Sequence, residues 1–315
     1  MGEKKTFVNR LRSLAKRMFA VLAIGFIAYS VYGGWSDIQG FDWTIRWPFL
    51  LFAVILYALF FMLRGVVWGM AVRMVDDRLP LDVAVRGYTL AYLSRYVPGA
   101  IWPFMTITAI AQDYNLSKRL LIAVFLLNII LLVLVDSLYL LPYLLGWLGV
   151  SAMLLGALFF CILLLGLPTM IRLCLPYAQS LNLLSNENKF DPIMQPQNFY
   201  RLVLMTMLHQ AIQLGAYFSF IAGMIDLDAT IIAYLSLAYA VAWLIGLLAI
   251  IVPQGLGVRE YSFVLLATTF ITGPIAVTLS IALRLLTISG EVLALILHVC
   301  LQRYGILSRV LRTTT

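Results

Sequence analysis

The segment from Ile251 to Glu260 places groups that could do chemistry inside an otherwise apolar stretch of the chain. A helix breaker and two glycines precede an adjacent pair of opposite charges. A broken backbone in hydrocarbon leaves amide and carbonyl groups without partners, and each costs several kcal/mol. A charge at that depth adds roughly 2.5–3.5 kcal/mol on insertion scales. Because both costs fall at one place, we predict a substrate-binding or translocation site there. Its predicted members are Pro253, Gly255, Gly257, Arg259 and Glu260.

A line of polar residues marks the last apolar segment of the chain. Counted from Ser280, the other members follow at offsets of 4, 7, 11 and 18 residues, which keeps them on one face of a helix. They are Ser280, Arg284, Thr287, Glu291 and His298. Two interpretations stay open: a salt bridge between neighbouring turns that locks the bundle, or a polar wall along a headgroup pathway. In the second, Arg284 is the phosphate partner and Glu291 belongs to the site.

The segment that starts near residue 200 repeats this pattern. One helical face carries Thr206, Gln210, Gln213 and Tyr217, with His209 beside them. Hydrogen bonds between helices account for buried amides in a membrane bundle, so a structural role stays open beside a role in translocation. We include Gln210 and Gln213 among the candidate translocation residues. His209 is interpreted as a hydrogen-bonded interior residue, not as a catalyst.

Two further charged residues lie within apolar segments. Asp136 shares a helical face with Asn128 and Tyr139, and it is a candidate translocation residue. Arg64 lies near the inner end of the second predicted span, where a long basic side chain can snorkel to the interface. We therefore expect Arg64 at the membrane surface, outside the site.

The chain is broken a first time at Pro98-Gly99. Arg95 either anchors at the headgroup level or meets lipid phosphate, aided by helix-end amides that favour anions. Tyr96 and Trp102 fit aromatic residues of the membrane interface. All five of these residues are candidates for substrate binding.

The composition restricts the protein to a membrane. Of the 315 residues, 63% are hydrophobic and 11% are charged, and no soluble globular protein has this balance. A helical span needs about 20 mostly apolar residues, and the chain contains many such runs. We predict an all-α polytopic membrane protein with about six full spans and two re-entrant helical hairpins. Two short spans stay open as the alternative to the first hairpin, as does a fully spanning course of either hairpin. The predicted spans are residues 18–35, 48–72, 120–143, 147–167, 200–225 and 275–301, and the hairpins are 86–115 and 230–273.

The two hairpins predict an inverted-topology repeat. Pro98 precedes Asp136 by 38 residues, and Pro253 precedes Glu291 by the same 38 residues. The flanking charges place the first hairpin's entry on the inner face and the second's on the outer face. Transporters of this architecture hold substrate at broken helices near the midplane. We take the chain as one transmembrane domain whose halves, 1–167 and 199–315, are joined by a cytoplasmic segment, 168–198.

The net charge of +8 reflects basic residues at both ends of the chain. By the positive-inside rule both termini are cytoplasmic. Because the basic residues flank spans, we expect no nucleic-acid partner. The predicted partners are membrane lipids, and the oligomeric state stays open. We place the protein in a prokaryotic plasma or inner membrane.

The two breaks also carry a resemblance to a known family. Arg95-Tyr-Val-Pro-Gly-Ala-Ile-Trp102 resembles a Tyr/Leu-Pro-Gly segment, and Pro253-Gln-Gly-Leu-Gly-Val-Arg-Glu260 is similar to a Pro-Gly-Gly-Leu-Gly-x-Arg-Glu signature. Both belong to the transmembrane domain of lysylphosphatidylglycerol synthase/flippase proteins, and Arg284 fits a further arginine of that family. Gln254 departs from the signature's first glycine. The resemblance covers nearly the whole chain and implies lipid translocation by a stand-alone member without the soluble aminoacyl-transferase domain.

The leading hypothesis is a flippase that moves a polar, phosphate-bearing lipid headgroup between leaflets. The lipid is a phospholipid or a polyprenyl-linked glycolipid. We expect no cofactor and no metal, since the sequence offers no metal-ligand cluster, catalytic set or nucleotide loop. The alternatives are an intramembrane lipid-modifying transferase and a non-catalytic accessory subunit of a lipid-glycan pathway.

Overall fold

The computed structural model describes residues 32–33, 35–94, 102–138, scattered positions between 151 and 169, and residues 191–249, 255 and 257–303. Most of the predicted spans 18–35 and 147–167 and most of the linking segment 168–198 lie outside the described residues. The regular secondary structure of the described residues is helical, apart from an isolated antiparallel bridge between Trp43 and Ile225. The predicted all-α class is confirmed.

The described helices lie in two stretches of the chain, one before residue 139 and one after residue 190. In chain order they are α1 (Trp35–Gly40), α2 (Trp47–Val75), α3 (Leu81–Leu93), α4 (Trp102–Asp113), α5 (Lys118–Ser137), α6 (Asp191–Met194), α7 (Pro196–Met224), α8 (Ala229–Leu248), α9 (Val258–Ala267) and α10 (Gly273–Arg303).

Local sequence explains where several of these helices begin. Ser117 precedes α5 in an extended conformation, and its hydroxyl accepts a hydrogen bond from the Leu120 amide, as an N-cap does. Pro80 precedes α3 with φ −60° and ψ 141°. Proline also stands in the first turn of α2, α4 and α10, where its missing N–H removes no helical bond.

Four described helices are long and apolar enough to cross a membrane: α2, α5, α8 and α10. Three of them match the predicted spans 48–72, 120–143 and 275–301. The helix α7 has 29 residues and is long enough, yet it is not among the four. Its buried Thr206, His209, Gln210 and Gln213 make it more polar than its neighbours.

The helices beside the two breaks pack into hairpins of different proportions. The helix α3 packs against α4, and both are short, with 13 and 12 residues. At 1.5 Å per residue each is about 20 Å long, less than the roughly 30 Å of hydrocarbon. The helix α8 packs against α9, but α8 has 20 residues and α9 only 10. The first arm of the second hairpin therefore has the length of a full span, and a re-entrant course of this hairpin stays a prediction.

The chain forms two compact units. The first unit combines Met1–Ala53 with Ala216–Ile288, and the second combines Val54–Gly215 with Ser289–Thr315. Each unit thus contains residues from both predicted halves, and α2, α7 and α10 each contribute to both units. Entry of the hairpins from opposite faces stays a prediction.

In the first unit, the segment just before α2 forms backbone hydrogen bonds with the end of α7. The Thr44 amide donates to the Met224 carbonyl at 3.1 Å, and the Arg46 amide donates to the Gly223 carbonyl at 2.8 Å. Arg46 also forms an exposed ion pair with Asp226, with 2.7 Å between Nη2 and Oδ1.

The core of the second unit includes a group of aromatic residues among its aliphatic ones. Trp68 of α2 and Tyr88 of α3 lie with ring centroids 5.8 Å apart, and Tyr88 stacks on Tyr92 at 5.9 Å. Outward-facing positions of the long helices carry exposed aliphatic residues, such as Leu51 and Ile55 on α2. Exposed aliphatic side chains on a long apolar helix suit contact with lipid.

Candidate functional site

The second break is held by two glycines in left-handed conformations. Gly255 has φ +61° and Gly257 has φ 80°, and residues with a side chain rarely adopt either value. Gly255 also approaches α8 closely: a Cβ atom there would lie 2.6 Å from both the Cα and the carbonyl oxygen of Gly246. The sequence therefore needs glycine at residue 255 for two reasons, conformation and contact.

The carboxylate of Glu260 links this break to α10 through two hydrogen bonds. The Gly257 amide, at the N-cap of α9, donates to Glu260 Oε2 at 2.6 Å. The other carboxylate oxygen, Oε1, accepts a hydrogen bond from Nη1 of Arg284 on α10. Glu260 is 3% exposed, so this carboxylate bridges the start of α9 and the middle of α10 within the protein interior.

Arg259 lies beside this ion pair in a different environment. Its guanidinium carbon stands 4.2 Å from the ring centroid of Tyr239 on α8. That ring in turn meets Tyr217 and Phe263 edge to face, with centroids 4.9 Å and 5.4 Å away. An aromatic face attracts a cation most strongly when water is excluded. The aromatic group thus fixes the position of a buried cation beside Glu260.

We call Gly255, Gly257, Arg259, Glu260 and Arg284 the break cluster. All five were predicted from the sequence, and the first unit brings them together. The cluster holds two guanidinium groups and one carboxylate, and that carboxylate pairs with Arg284. An arginine and the amides at a helix start both bind anionic oxygens well. The cluster is therefore chemically suited to an anion such as a phosphate.

A second polar cluster lies in the second unit, around Arg64. This residue is 1% exposed, so the expectation that it snorkels to the interface is wrong. Its Nη1 donates to the Tyr92 hydroxyl at 2.8 Å, and its guanidinium carbon lies 4.3 Å from the centroid of the same ring. Hydrogen bonding and cation–π attraction together offset the loss of water around the charge.

Asp136, His209 and Gln210 also belong to this group of buried polar residues. We call Arg64, Tyr92, Asp136, His209 and Gln210 the Arg64 cluster. The Gln210 amide donates to Asp136 Oδ1, and Gln210 Oε1 lies 3.0 Å from His209 Nδ1. The second oxygen of Asp136, Oδ2, is buried and has no hydrogen-bond partner among the described residues. The predicted interior, hydrogen-bonded position of His209 is confirmed.

Sequence reasoning missed Arg64, although a signal was available. Tyr57, Phe61 and Trp68 lie seven and three residues before it and four residues after it, on the same face of α2. All three are 1% exposed or less. A basic residue on such an aromatic helix face belongs to the interior, and the aromatic spacing indicates this better than distance from the helix end does.

The other predicted residues have different outcomes. Arg95, Tyr96, Pro98, Gly99 and Pro253 lie outside the described residues. Trp102 is partly exposed at the first position of α4.

Gln213 and Glu291 are buried in the second unit. The polar face of α10 is therefore divided between the units: residues up to Thr287 belong to the first, and Glu291 and His298 belong to the second. Within the described part of the chain, no group of three or more histidine, cysteine or acidic residues could hold a metal ion.

Comparison with known proteins agrees with the resemblance carried by the two breaks. The model of a family described as the lysylphosphatidylglycerol synthase TM region matches residues 18–294. Neither the curated proteins nor the solved structures yield a match.

Proposed function

We propose that this chain, which belongs to the family of the lysylphosphatidylglycerol synthase TM region, is a flippase for lipids with a phosphate-bearing headgroup. Family membership and four span-length apolar helices make it an integral membrane protein with a lipid-related function. The proposal adds the reaction: movement of the headgroup from one leaflet to the other, with no change to the lipid's covalent bonds.

The physical task of a flippase is to carry a polar headgroup across about 30 Å of hydrocarbon. The acyl chains can stay in lipid, so the protein has to replace only the water around the headgroup. A site for this purpose needs cationic and amide donors in a segment whose backbone is not a continuous helix, because only such a segment exposes free amides to a ligand.

The observation that carries the proposal is the double coordination of the Glu260 carboxylate. One oxygen is bound by a backbone amide of the break, and the other is bound by the Arg284 guanidinium. The protein thus already holds one anion at the break with donors of the two kinds that a phosphate uses. A further cation, Arg259, is fixed beside it on Tyr239.

The test is a leaflet-accessibility assay on purified protein in liposomes. A phosphatidylglycerol with a fluorescent headgroup is incorporated, and a membrane-impermeant quencher reports how fast the inner-leaflet probe reaches the outer leaflet. Mass spectrometry of the same lipids detects covalent change. We expect faster exchange than in protein-free liposomes and unchanged lipids.

Two other outcomes would replace the proposal. A modified lipid formed only with active protein would indicate an intramembrane transferase. Unchanged lipids without acceleration, across phospholipids and polyprenyl-phosphate lipids, would indicate an accessory subunit. Arg46→Gln provides a matched control in the same unit, because it removes an arginine from an ion pair that is exposed rather than buried.

A further inference from the structure

We infer that the hydroxyl of Tyr239, on α8, is a substrate-binding donor beside the break cluster and that it donates a hydrogen bond to a phosphate oxygen of the lipid headgroup. This inference rests on the proposed function, since it names a residue by which the flippase recognises its substrate. The Tyr239 ring supports the Arg259 guanidinium, and the inference assigns a separate role to the hydroxyl.

The Tyr239 hydroxyl is buried without a hydrogen-bond partner. The residue is 0% exposed, and its Oη has no donor or acceptor at hydrogen-bond distance among the described residues. Buried tyrosine hydroxyls normally have a partner, because a polar group without one loses the hydrogen bonds that it made with water. A hydroxyl in this position therefore requires an explanation, and a ligand that accepts from it provides one.

Its surroundings place this hydroxyl beside the break cluster. The Arg259 guanidinium carbon lies 4.2 Å from the Tyr239 ring centroid, and the ring of Phe263, on α9, meets the same ring edge to face at 5.4 Å. The charges of Arg259, Glu260 and Arg284 all act on the hydroxyl. The unpartnered group thus belongs to the place where the proposed function puts the headgroup.

The neighbouring groups determine what the hydroxyl can bind. Arginine has donors only, so Arg259 leaves the hydroxyl proton without an acceptor even where it donates toward the hydroxyl oxygen. The two oxygens of Glu260 accept from the Gly257 amide and from Arg284, and Tyr239 does not donate to either of them. An acceptor has to come from elsewhere, and the adjacent arginines favour one with a negative charge. A phosphate oxygen has both properties.

The Arg64 cluster contains the same two residue types with a different use of the hydroxyl. The Arg64 guanidinium carbon lies 4.3 Å from the Tyr92 ring centroid, and Arg64 Nη1 donates to the Tyr92 hydroxyl at 2.8 Å. In that cluster the hydroxyl is bound within the protein. Beside the break, the cation takes the same place over the ring, but the Tyr239 hydroxyl is left for another partner.

The burial of Tyr239 sets a condition on binding. A headgroup can reach a fully buried hydroxyl only when the side chains around it move apart. A transporter supplies this movement, because its site opens to one side of the membrane at a time. The hydroxyl therefore meets the phosphate inside the protein, where little water competes for it.

The inference is tested by the removal of one oxygen atom. Tyr239→Phe keeps the ring under Arg259 and removes only the hydroxyl. Purified protein in detergent is titrated with dihexanoyl phosphatidylglycerol, with inorganic phosphate and with dihexanoylglycerol, which has the acyl chains but no phosphate. Isothermal titration calorimetry gives the dissociation constants, and thermal unfolding without ligand gives the stability. Tyr92→Phe is the matched control, because it removes a hydroxyl that Arg64 already binds.

The two variants should separate binding from stability. Tyr239→Phe should unfold at the wild-type temperature or above it, because it removes a buried group without a partner. It should bind dihexanoyl phosphatidylglycerol about tenfold more weakly, which corresponds to about 1.4 kcal/mol. Tyr92→Phe should unfold at a lower temperature and keep the wild-type affinity. Inorganic phosphate should bind more weakly than the lipid with the same dependence on Tyr239, and dihexanoylglycerol should not bind.

Several results would overturn the inference. Wild-type affinity in Tyr239→Phe would show that the hydroxyl does not contact the ligand. A Tyr239→Phe protein that is less stable than wild type, or that does not fold, would show that the hydroxyl has a partner within the protein. Equal affinity for inorganic phosphate and for the lipid would show that the site takes free phosphate instead of a headgroup. An equal loss of affinity in Tyr92→Phe would show that the effect is not specific to Tyr239.

The flippase and the role of Tyr239 can fail separately. Lipid binding that depends on Tyr239, without transport in the liposome assay, would reject the flippase and leave the binding site intact. Transport by wild type, together with wild-type affinity in Tyr239→Phe, would reject only the role of Tyr239.

Discussion

The break cluster and the Arg64 cluster both hold a buried arginine, and they do so with similar side chains. Each places a buried arginine over a tyrosine ring, at 4.2 Å for Arg259 on Tyr239 and 4.3 Å for Arg64 on Tyr92. Each also contains a buried carboxylate, Glu260 in the first unit and Asp136 in the second. The two units therefore share the placement of a buried arginine over an aromatic face.

The clusters differ in the backbone that carries them. Glu260 binds an amide that is free only because the chain is interrupted between α8 and α9. The Arg64 cluster is built from side chains of the continuous helices α2, α3, α5 and α7. A backbone amide at a helix start can bind an anionic ligand, whereas the groups of the Arg64 cluster are side chains that contact one another. We therefore propose that the first cluster binds substrate and that the second braces the bundle.

The largest expected effect comes from Gly255→Val. The substitution forces a β-branched residue to φ +61° and puts its Cβ 2.6 Å from the Gly246 backbone. Backbone strain and overpacking each cost on the order of 1–3 kcal/mol, so the break should not form and both stability and transport should fall. Thermal unfolding and the liposome assay measure these losses. Gly273→Ala is the control, because no atom lies within 4 Å of its added Cβ. A stable, active Gly255→Val protein would show that the break's geometry does not matter.

Arg284→Gln should have the next largest effect. It leaves the 3% exposed Glu260 carboxylate without its charged partner, and loss of one member of a buried pair costs about 3–5 kcal/mol. The partial exposure of Arg284 places the expected loss at the lower end of that range. Transport per folded molecule should fall as well, measured after normalisation to protein recovered by size-exclusion chromatography. Wild-type rates at reduced stability would make the ion pair a packing feature.

Arg64→Gln tests whether the Arg64 cluster contributes to stability alone, in contrast to the break cluster. It removes the cation over Tyr92 and the hydrogen bond to its hydroxyl, so we expect a loss of about 2 kcal/mol in stability. Transport per folded molecule should stay near the wild-type value, because this cluster is assigned a bracing role. Complete loss of transport in a protein of normal thermal stability would instead place Arg64 in the substrate pathway.

The smallest effect is expected for Arg46→Gln. The Arg46–Asp226 pair is exposed on both sides, with side-chain exposures of 42% and 72%. Exposed pairs contribute about 0–1 kcal/mol and are screened by salt. Thermal unfolding at low and high salt should therefore barely distinguish this variant from wild type. A loss comparable to that of Arg284→Gln would remove the distinction between buried and exposed pairs on which the ranking depends.

The helical class and the members of the break cluster could be predicted from the sequence, because proline, glycine and charge within apolar sequence have a definite cost in a membrane. The ion pair between Glu260 and Arg284 was not specified in advance, since 24 residues separate the partners and only the packing of α9 on α10 decides which acid meets which base. Spacing matched Asp136 with Glu291 as equivalent positions of the predicted repeat, and that correspondence stays a prediction. It did not indicate that Gln210 donates to Asp136 or that Glu260 is the partner of Arg284.

Distance from the helix end misplaced Arg64, and hydropathy left the arms of the hairpins open between re-entrant and full-span lengths. An apolar run followed by a break fits both a short re-entrant arm and a full span, because hydropathy does not report where a helix starts relative to the bilayer. An arginine some distance inside an apolar helix fits both a snorkelling and a buried position. Neighbouring helices decide between them, and for Arg64 the deciding contacts come from Tyr88 and Tyr92 of α3.

The central claim is that the break cluster moves a lipid headgroup, and the most direct measurement compares wild type with Arg284→Gln in the leaflet-accessibility assay. Equal amounts of folded protein are reconstituted with headgroup-labelled phosphatidylglycerol. We predict that wild type accelerates exchange of a chemically unchanged lipid and that Arg284→Gln is slower by about tenfold or more, a barrier difference of about 1.4 kcal/mol. Equal rates for the two proteins, or a covalently altered lipid in the wild-type sample alone, would contradict it.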